Sequence, residues 1–367
     1  MKIGILTYHR AENYGALLQA YALKTYLKNL GHNVEFVDYW PEYHVEHYRI
    51  FSFLRFRRCN ISDKVKYLLK FFLWGGPKYL RKYRLQSFMK KYLGLNSIPL
   101  YQTDNEKTVQ YDLVIYGSDQ IWRKQGINGN QFNPWYFGSS NVVANSKVTY
   151  AASMGVIETN KEDESFLKKS MKQFDHISVR EVDLCEYLNG LGISSEIVCD
   201  PTFLLTKEEW RKLIKPTKKK DKYILLYNLL QMPESVKFAE LLSKTTGLPV
   251  KEINMRHSFS HTLSTRYISC ASLNYFLELI DNAEYVVSNS FHGVAFSVIF
   301  EKQFFAVGMG NRANRVVSLL QTLGIQERYF LNSEYIPLSD INYMEVNERK
   351  DEMVEQSTKF LKRNITQ

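Results

Sequence analysis

Cysteine is scarce and carries no pattern. Cys59, Cys185, Cys199 and Cys270 stand apart with no C-x-x-C pair. That argues against a disulfide framework and against a zinc site, and it fits a reducing compartment. There is no G-x-G-x-x-G and no Walker loop, which sets aside a nicotinamide or P-loop nucleotide site. No apolar run reaches about 18 residues, so no segment is expected to span a bilayer. The apolar run after Met1 is too short for a signal peptide. Acidic residues are nearly missing from one stretch. Between Arg49 and Tyr92 thirteen Lys and Arg stand against Asp63 alone. The formal charge of +10 is therefore +12 in that stretch and −2 elsewhere.

What is present is an α/β rhythm. A chain of 367 residues is expected to form two domains, each with its own core. Residues 2–7 read as a buried strand, 15–30 as a helix ended by Gly31, and 34–39 as a second strand. That is a βαβ unit and implies a parallel sheet. The rhythm resumes at 112–116 and continues through strands at 148–151, 176–179 and 196–199. Residues 214–222, charged and proline-bearing, read as a linker. A second series follows, with strands at 223–227, 250–253, 285–287 and 304–307. The expected domains are 1–214 and 222–345, both Rossmann-like, with a helical tail at 346–367.

Residues 49–95 interrupt the first domain as a basic helical insertion with eleven aromatics. Three readings stand: aromatics packed on their own core beneath solvated charges, a surface lying on anionic lipid, or a nucleic-acid surface. No nucleic-acid-binding motif accompanies the patch, which makes the third the weakest.

The unusual polar residues fall at the carboxyl ends of the expected strands, where open α/β sheets bind ligands. From the first domain come His9, Arg10, Asn13, Tyr14, Ser118, Asp119, Gln120 and Arg180. From the second come Asn228, Ser290, His292, Arg312 and Arg315. His292 sits in the first turn of an apolar helix, where free N–H groups and the helix dipole suit an anion. It either binds an anion or moves a proton, or it is a packing histidine beside Gly293. Arg180, Arg312 and Arg315 suit carboxylate or phosphate, or serve as surface ion pairs. Asp119 is a general base or a loop cap. Asn13, Tyr14 and Gly15 hold an anion at a helix start, or only make a tight turn.

Several of these motifs together resemble the polysaccharide pyruvyl transferase family. They are Ile3-Gly-Ile-Leu-Thr-Tyr-His-Arg-Ala-Glu-Asn-Tyr-Gly15, Gly117-Ser-Asp-Gln-Ile-Trp122, Ser178-Val-Arg-Glu181, Asp200-Pro201 and Ser288-Asn-Ser-Phe-His-Gly293. The resemblance runs from the first strand to about residue 330, leaving out 49–95 and the tail. It implies a glycosyltransferase-B-like pair of Rossmann-like domains facing a central cleft. It implies transfer of the enolpyruvyl group of phosphoenolpyruvate to a sugar, as a pyruvate ketal on a cell-surface glycan. The family's phosphoenolpyruvate histidine lies in an Arg-Leu-His-Gly motif and carries over to His292; its first-domain arginine carries over to Arg180. This sequence has Ser290 at the motif's own arginine, with Arg312 or Arg315 as replacement. His292 is then the expected acid and phosphate partner and Asp119 the base for the acceptor hydroxyl. Asn13, Tyr14 and Gln120 are expected at the acceptor. No metal or cofactor is expected beyond phosphoenolpyruvate as co-substrate.

The expected protein is cytoplasmic, peripheral on the inner face of the plasma membrane, with a lipid-linked oligosaccharide as acceptor. Its partners would be an anionic membrane surface through 49–95 and no nucleic acid. The competing readings are a nucleotide-sugar-dependent glycosyltransferase and a non-catalytic glycan- or membrane-binding protein.

Overall fold

The computed structural model describes residues 1–96, 98–101, 108–124, 130–215, 222–253, 266–310, 313–331, 336 and 339–365. In the first lobe, strand β1 (Lys2–Leu6) leads to helix α1 (Tyr14–Asn29) and strand β2 (Asn33–Phe36). Asn13 starts α1 by accepting from the Gly15 and Ala16 N–H groups, and Gly31 follows with φ of +89°. Strands β3 (Tyr111–Tyr116) and β4 (Ala144–Thr149) complete a parallel sheet in the order β2-β1-β3-β4. Bridges from Val148 to His176 and from Ala152 to Val179 join its edge to a small pair, β5 (Ser178–Val179) and β6 (Glu196–Ile197). Helix α5 (Lys161–Ser170) precedes β5, and α6 (Val182–Gly190) links the pair.

After helix α7 (Lys207–Arg211) the second lobe begins at β7 (Ile224–Tyr227). It adds α8 (Pro233–Thr246), β8 (Val250–Ile253), β9 (Tyr267–Ile268), α9 (Leu273–Asp281), β10 (Tyr285–Ser288) and α10 (Phe291–Ile299). Then come β11 (Gln303–Val307), α11 (Asn314–Leu323), β12 (Tyr329–Phe330) and the long α12 (Tyr343–Ile365). All six strands are parallel, in the order β12-β11-β10-β7-β8-β9. Counted within the lobe this is the doubly wound order, with its switch point between β7 and β10. The first lobe has its own switch point between β1 and β3. Strands buried on both faces read as continuous apolar runs, which is why β1, β7 and β10 were recognisable. Both lobes are thus Rossmann-like α/β units.

Each lobe keeps a buried cluster of its own, around Leu6, Val114 and Trp122 in the first and around Ile224, Phe238 and Phe305 in the second, and a further cluster joins the two. This joining cluster runs from Ile3, Leu17 and Leu113 to Leu225, Phe276 and Val294. Tyr14 on α1 stacks on Phe276 of α9 at 4.8 Å between ring centroids. Helix α12 returns to the first lobe, where Ser357 accepts from the Cys199 N–H and Arg363 pairs with Glu196. Most of the proposed linker, 216–221, lies outside the described residues.

Helix α2 (Glu42–His47) leads into the insertion, which folds mainly as α3 (Phe53–Arg58) and the 28-residue α4 (Ile61–Phe88). Phe51, Phe56, Tyr67 and Phe71 pack on one another, 5.2 to 6.1 Å apart. Part of its positive charge is bonded to the lobes. Arg81 donates to the Glu12 carbonyl, Lys82 pairs with Glu12 and donates to the Tyr48 carbonyl, and Arg84 donates to the Cys270 carbonyl in the second lobe.

Candidate active site

The loops leaving the two switch points converge on one cavity of about 290 Å³. Asn13, Asp119, Gln120 and Arg123 reach it from the first lobe, and Ser290, Phe291, His292 and Arg315 from the second. His292 is the second residue of α10, 6% exposed, at the cavity wall. No side chain caps that helix start, so its first N–H groups keep no partner inside the helix. The imidazole lies on the backbone of α1: a Cβ built on Gly15 would fall 2.0 Å from His292 Nδ1. Gly15 is therefore there for the close approach of the two lobes.

Behind His292 stands Asp200, fully buried, with Oδ2 at 3.8 Å from His292 Nε2. The same oxygen accepts from Arg180 Nη1 and from Ser118 Oγ, and Oδ1 accepts from the N–H and hydroxyl of Thr202. Arg180 also donates from Nε to Glu181 and lies 3.9 Å from Asp119. Its Nη2 is buried without a hydrogen-bond partner, and so is His292 Nε2. Buried polar groups are normally paired. Two orphaned nitrogens, one facing Asp200 and one facing Asp119, thus mark a place where a further anion or acceptor fits.

Burial sets the charges. It pulls the His292 pKa down to about 4 in spite of Asp200, so the ring is neutral at pH 7. Arg315 is brought down to about 10 by burial and by Arg180 beside it, and stays charged. Asp200 is held below the usual carboxylate range by His292 and Arg180, against its own burial. Burial raises Glu181, whose Oε2 has no partner. Both guanidinium groups lie over the Phe291 ring, Arg180 at 4.8 Å and Arg315 at 5.8 Å. A second cavity of about 600 Å³ shares Phe291 and Arg315 with the first and is lined also by Arg180, Asp200 and part of α12.

The predicted residues divide on inspection. His292, Ser290, Asp119, Gln120, Asn13 and Arg315 line the first cavity. Arg180 lines the second and reaches the first set through Asp119 and Asp200. Asp119 holds φ of +69° and accepts from the Gln120 N–H, so it faces the cavity while closing its own loop. Tyr14 is a correction. Its ring is buried against Phe276 and its hydroxyl donates to the Ala271 carbonyl, so it packs the lobes together and does not line the cavity. His9 and Arg10 are spent on Asp38, and Asn228 on the β7–α8 loop. Arg312 lies outside the described residues. Three participants had no role assigned from sequence: Asp200, Glu181 and Phe291. Each was inside a quoted motif, adjacent to Pro201, Arg180 and His292. Among the described residues no group of three or more His, Cys, Asp or Glu is placed to hold a metal ion. None of their helices is long and apolar enough to cross a membrane.

Residues 13–311 match the family model for polysaccharide pyruvyl transferase. The chain belongs to that family. A pyruvyl transferase role and a place in polysaccharide biosynthesis follow at that level. No curated protein matches the chain. Among solved structures it is similar to UDP-GlcNAc 2-epimerase from Neisseria meningitidis bound to UDP-GlcNAc, at 9% identity and a TM-score of 0.48, over 100% of both chains. It is also similar to UDP-N-acetylglucosamine 2-epimerase from Rickettsia bellii, at 12% identity and a TM-score of 0.45, over 99% of this chain and 95% of that one.

Proposed function

We propose that this pyruvyl transferase moves the enolpyruvyl group of phosphoenolpyruvate to a sugar of a lipid-linked polysaccharide precursor, forming a pyruvate ketal and releasing phosphate. The observation that carries the reading is a pair of orphaned nitrogens beside the open start of α10, His292 Nε2 at Asp200 and Arg180 Nη2 on the Asp119 side of the same guanidinium that binds Asp200. A small polyanion between them would satisfy both, and Arg315, which lines both cavities, supplies a further positive charge.

The step balances without redox change. One acceptor hydroxyl adds to C2 of the enol, and a proton is placed on C3, making it a methyl group. A second hydroxyl then displaces phosphate at C2, and its proton leaves with the phosphate. His292 is the group that protonates C3 and then hydrogen-bonds the departing phosphate, a role worth about 10²–10⁴ in rate. In the free site the ring is neutral. It acquires its proton when the donor's negative charge arrives and raises its pKa. Asp119 takes the proton of the first hydroxyl, with Gln120 and Asn13 holding the acceptor.

The test is phosphate release and pyruvylation on incubation with phosphoenolpyruvate and a panel of lipid-linked glycans. Joint formation of both products supports the reading. Phosphate release with no pyruvylated acceptor, or turnover only with a nucleotide-sugar, overturns it.

A further inference from the structure

The insertion leaves a long apolar stripe in solvent. On α4, Ile61, Val65, Leu69, Phe72, Leu73, Tyr79, Leu80 and Tyr83 are all exposed, Ile61 at 82% and Phe72 at 77%. At 3.6 residues per turn these positions fall on one face of the helix, which spans about 33 Å from Ile61 to Tyr83 at 1.5 Å per residue. Phe53 and Leu54 of α3 are exposed too. A surface of this kind normally has an occupant.

The charge around it selects which. Arg57, Arg58, Lys66, Lys70 and Lys78 stay exposed in these helices, and Asp63 is the one acidic residue between Arg49 and Tyr92. A second copy seated on the stripe would bring two such cationic helices together with almost no acid to offset them. An anionic lipid surface has the complementary sign. Apolar and aromatic side chains flanked by Lys and Arg are what an interfacial helix needs. We infer that the exposed face of α3 and α4 lies on an anionic bilayer. Arg81, Lys82 and Arg84 are bonded to the two lobes and so fix that helix to them. The lipid face thus adjoins the catalytic cleft. Tyr83 lines a cavity of about 390 Å³ whose wall includes Tyr48, and Tyr48 also lines the cleft.

The inference does not depend on pyruvyl transfer, and its test uses no substrate. The full chain is sedimented with phosphatidylcholine vesicles, with and without phosphatidylglycerol, at low and high salt. Binding is expected only to the anionic vesicles and weaker in high salt. The double substitution Leu69→Glu and Phe72→Glu should reduce it by about tenfold or more. Both positions are exposed, so the fold should persist. Should the pair perturb folding, Lys66→Gln with Lys70→Gln gives an independent reading, a weaker binding at low salt. Failure of the native chain to bind anionic vesicles overturns the inference. So does binding that both variant pairs leave unchanged, or a dimer of the native chain that the Glu pair converts to monomer.

Discussion

At the switch point of the first lobe, most polar side chains already have partners. His9 and Arg10 hold Asp38, Asn13 caps α1, and Ser118 donates to Asp200. At the switch point of the second lobe, His292 keeps an orphaned nitrogen and Ser290 makes no cap. Both edges come from the same parallel topology and both looked equally polar in sequence. The difference separates residues that hold the frame from those left for a ligand. The first lobe supplies a floor, through Gly15, and a set of fixed charges, through Arg180, Asp200 and Asp119. The second supplies His292, whose unused nitrogen adds to the unused atoms left on the first lobe at Arg180 Nη2 and Glu181 Oε2.

The sharpest way to break that contrast is His292→Ala. Pyruvyl transfer should fall by about 10²–10⁴, while the cooperative unfolding transition survives. Activity near the native level would place the chemistry on the first lobe. A second measurement follows the proton. The ring's ordinary pKa is near 6.5 and the fold lowers it to about 4. As pH falls through that window the unfolded chain takes the proton first. Stability from the neutral ring is therefore complete above about pH 6.5 and lost on the way to about 4, by up to about 3 kcal/mol. His9 and His44 are also held low by burial, so the comparison is with His292→Asn. Denaturant unfolding of the variant should show a flatter slope between these pH values. Equal slopes would mean that the ring is not buried neutral in the free chain.

The fold was legible because its signals are local. Apolar runs gave β1, β7 and β10, and the polar break after β10 gave the start of α10. The parallel order was implied by strand, helix and strand in succession. The role of Asp200 was not legible: its partners Arg180 and His292 belong to different lobes, and only the packed structure brings them to one carboxylate. Tyr14 was misread for a related reason. A tyrosine at a helix start beside a glycine looks like a binding residue until Phe276, far along the chain, is seen stacked on it. The stripe on α4 has the spacing of a core-facing helix, so the sequence left open whether its aromatics pack on a core of their own or lie on lipid.

A smaller effect tests how the first lobe positions the second. Gly15→Ala favours α1 by about 1 kcal/mol in intrinsic propensity, so the helix itself should not suffer. The added methyl would meet the His292 ring, which has to move. A displacement near 1 Å at a catalytic group costs about 10²-fold, so transfer should fall by about 10 to 10²-fold with helix content unchanged. Native activity in Gly15→Ala would show that the ring has room to shift and that its seat on α1 does not set the geometry.

The smallest expected change separates frame from site at adjacent positions. Tyr14→Phe removes the hydroxyl that donates to the Ala271 carbonyl and keeps the ring on Phe276. The carbonyl is left without that donor inside the interface, at a cost of about 1 kcal/mol. Thermal unfolding should report that loss, with KM for the acceptor and kcat both within about twofold of the native values. If Tyr14 instead held the acceptor, KM would rise and stability would stay put. The two outcomes move different measurements in opposite ways. One conservative substitution therefore decides whether this part of α1 belongs to the wall between the lobes or to the binding surface.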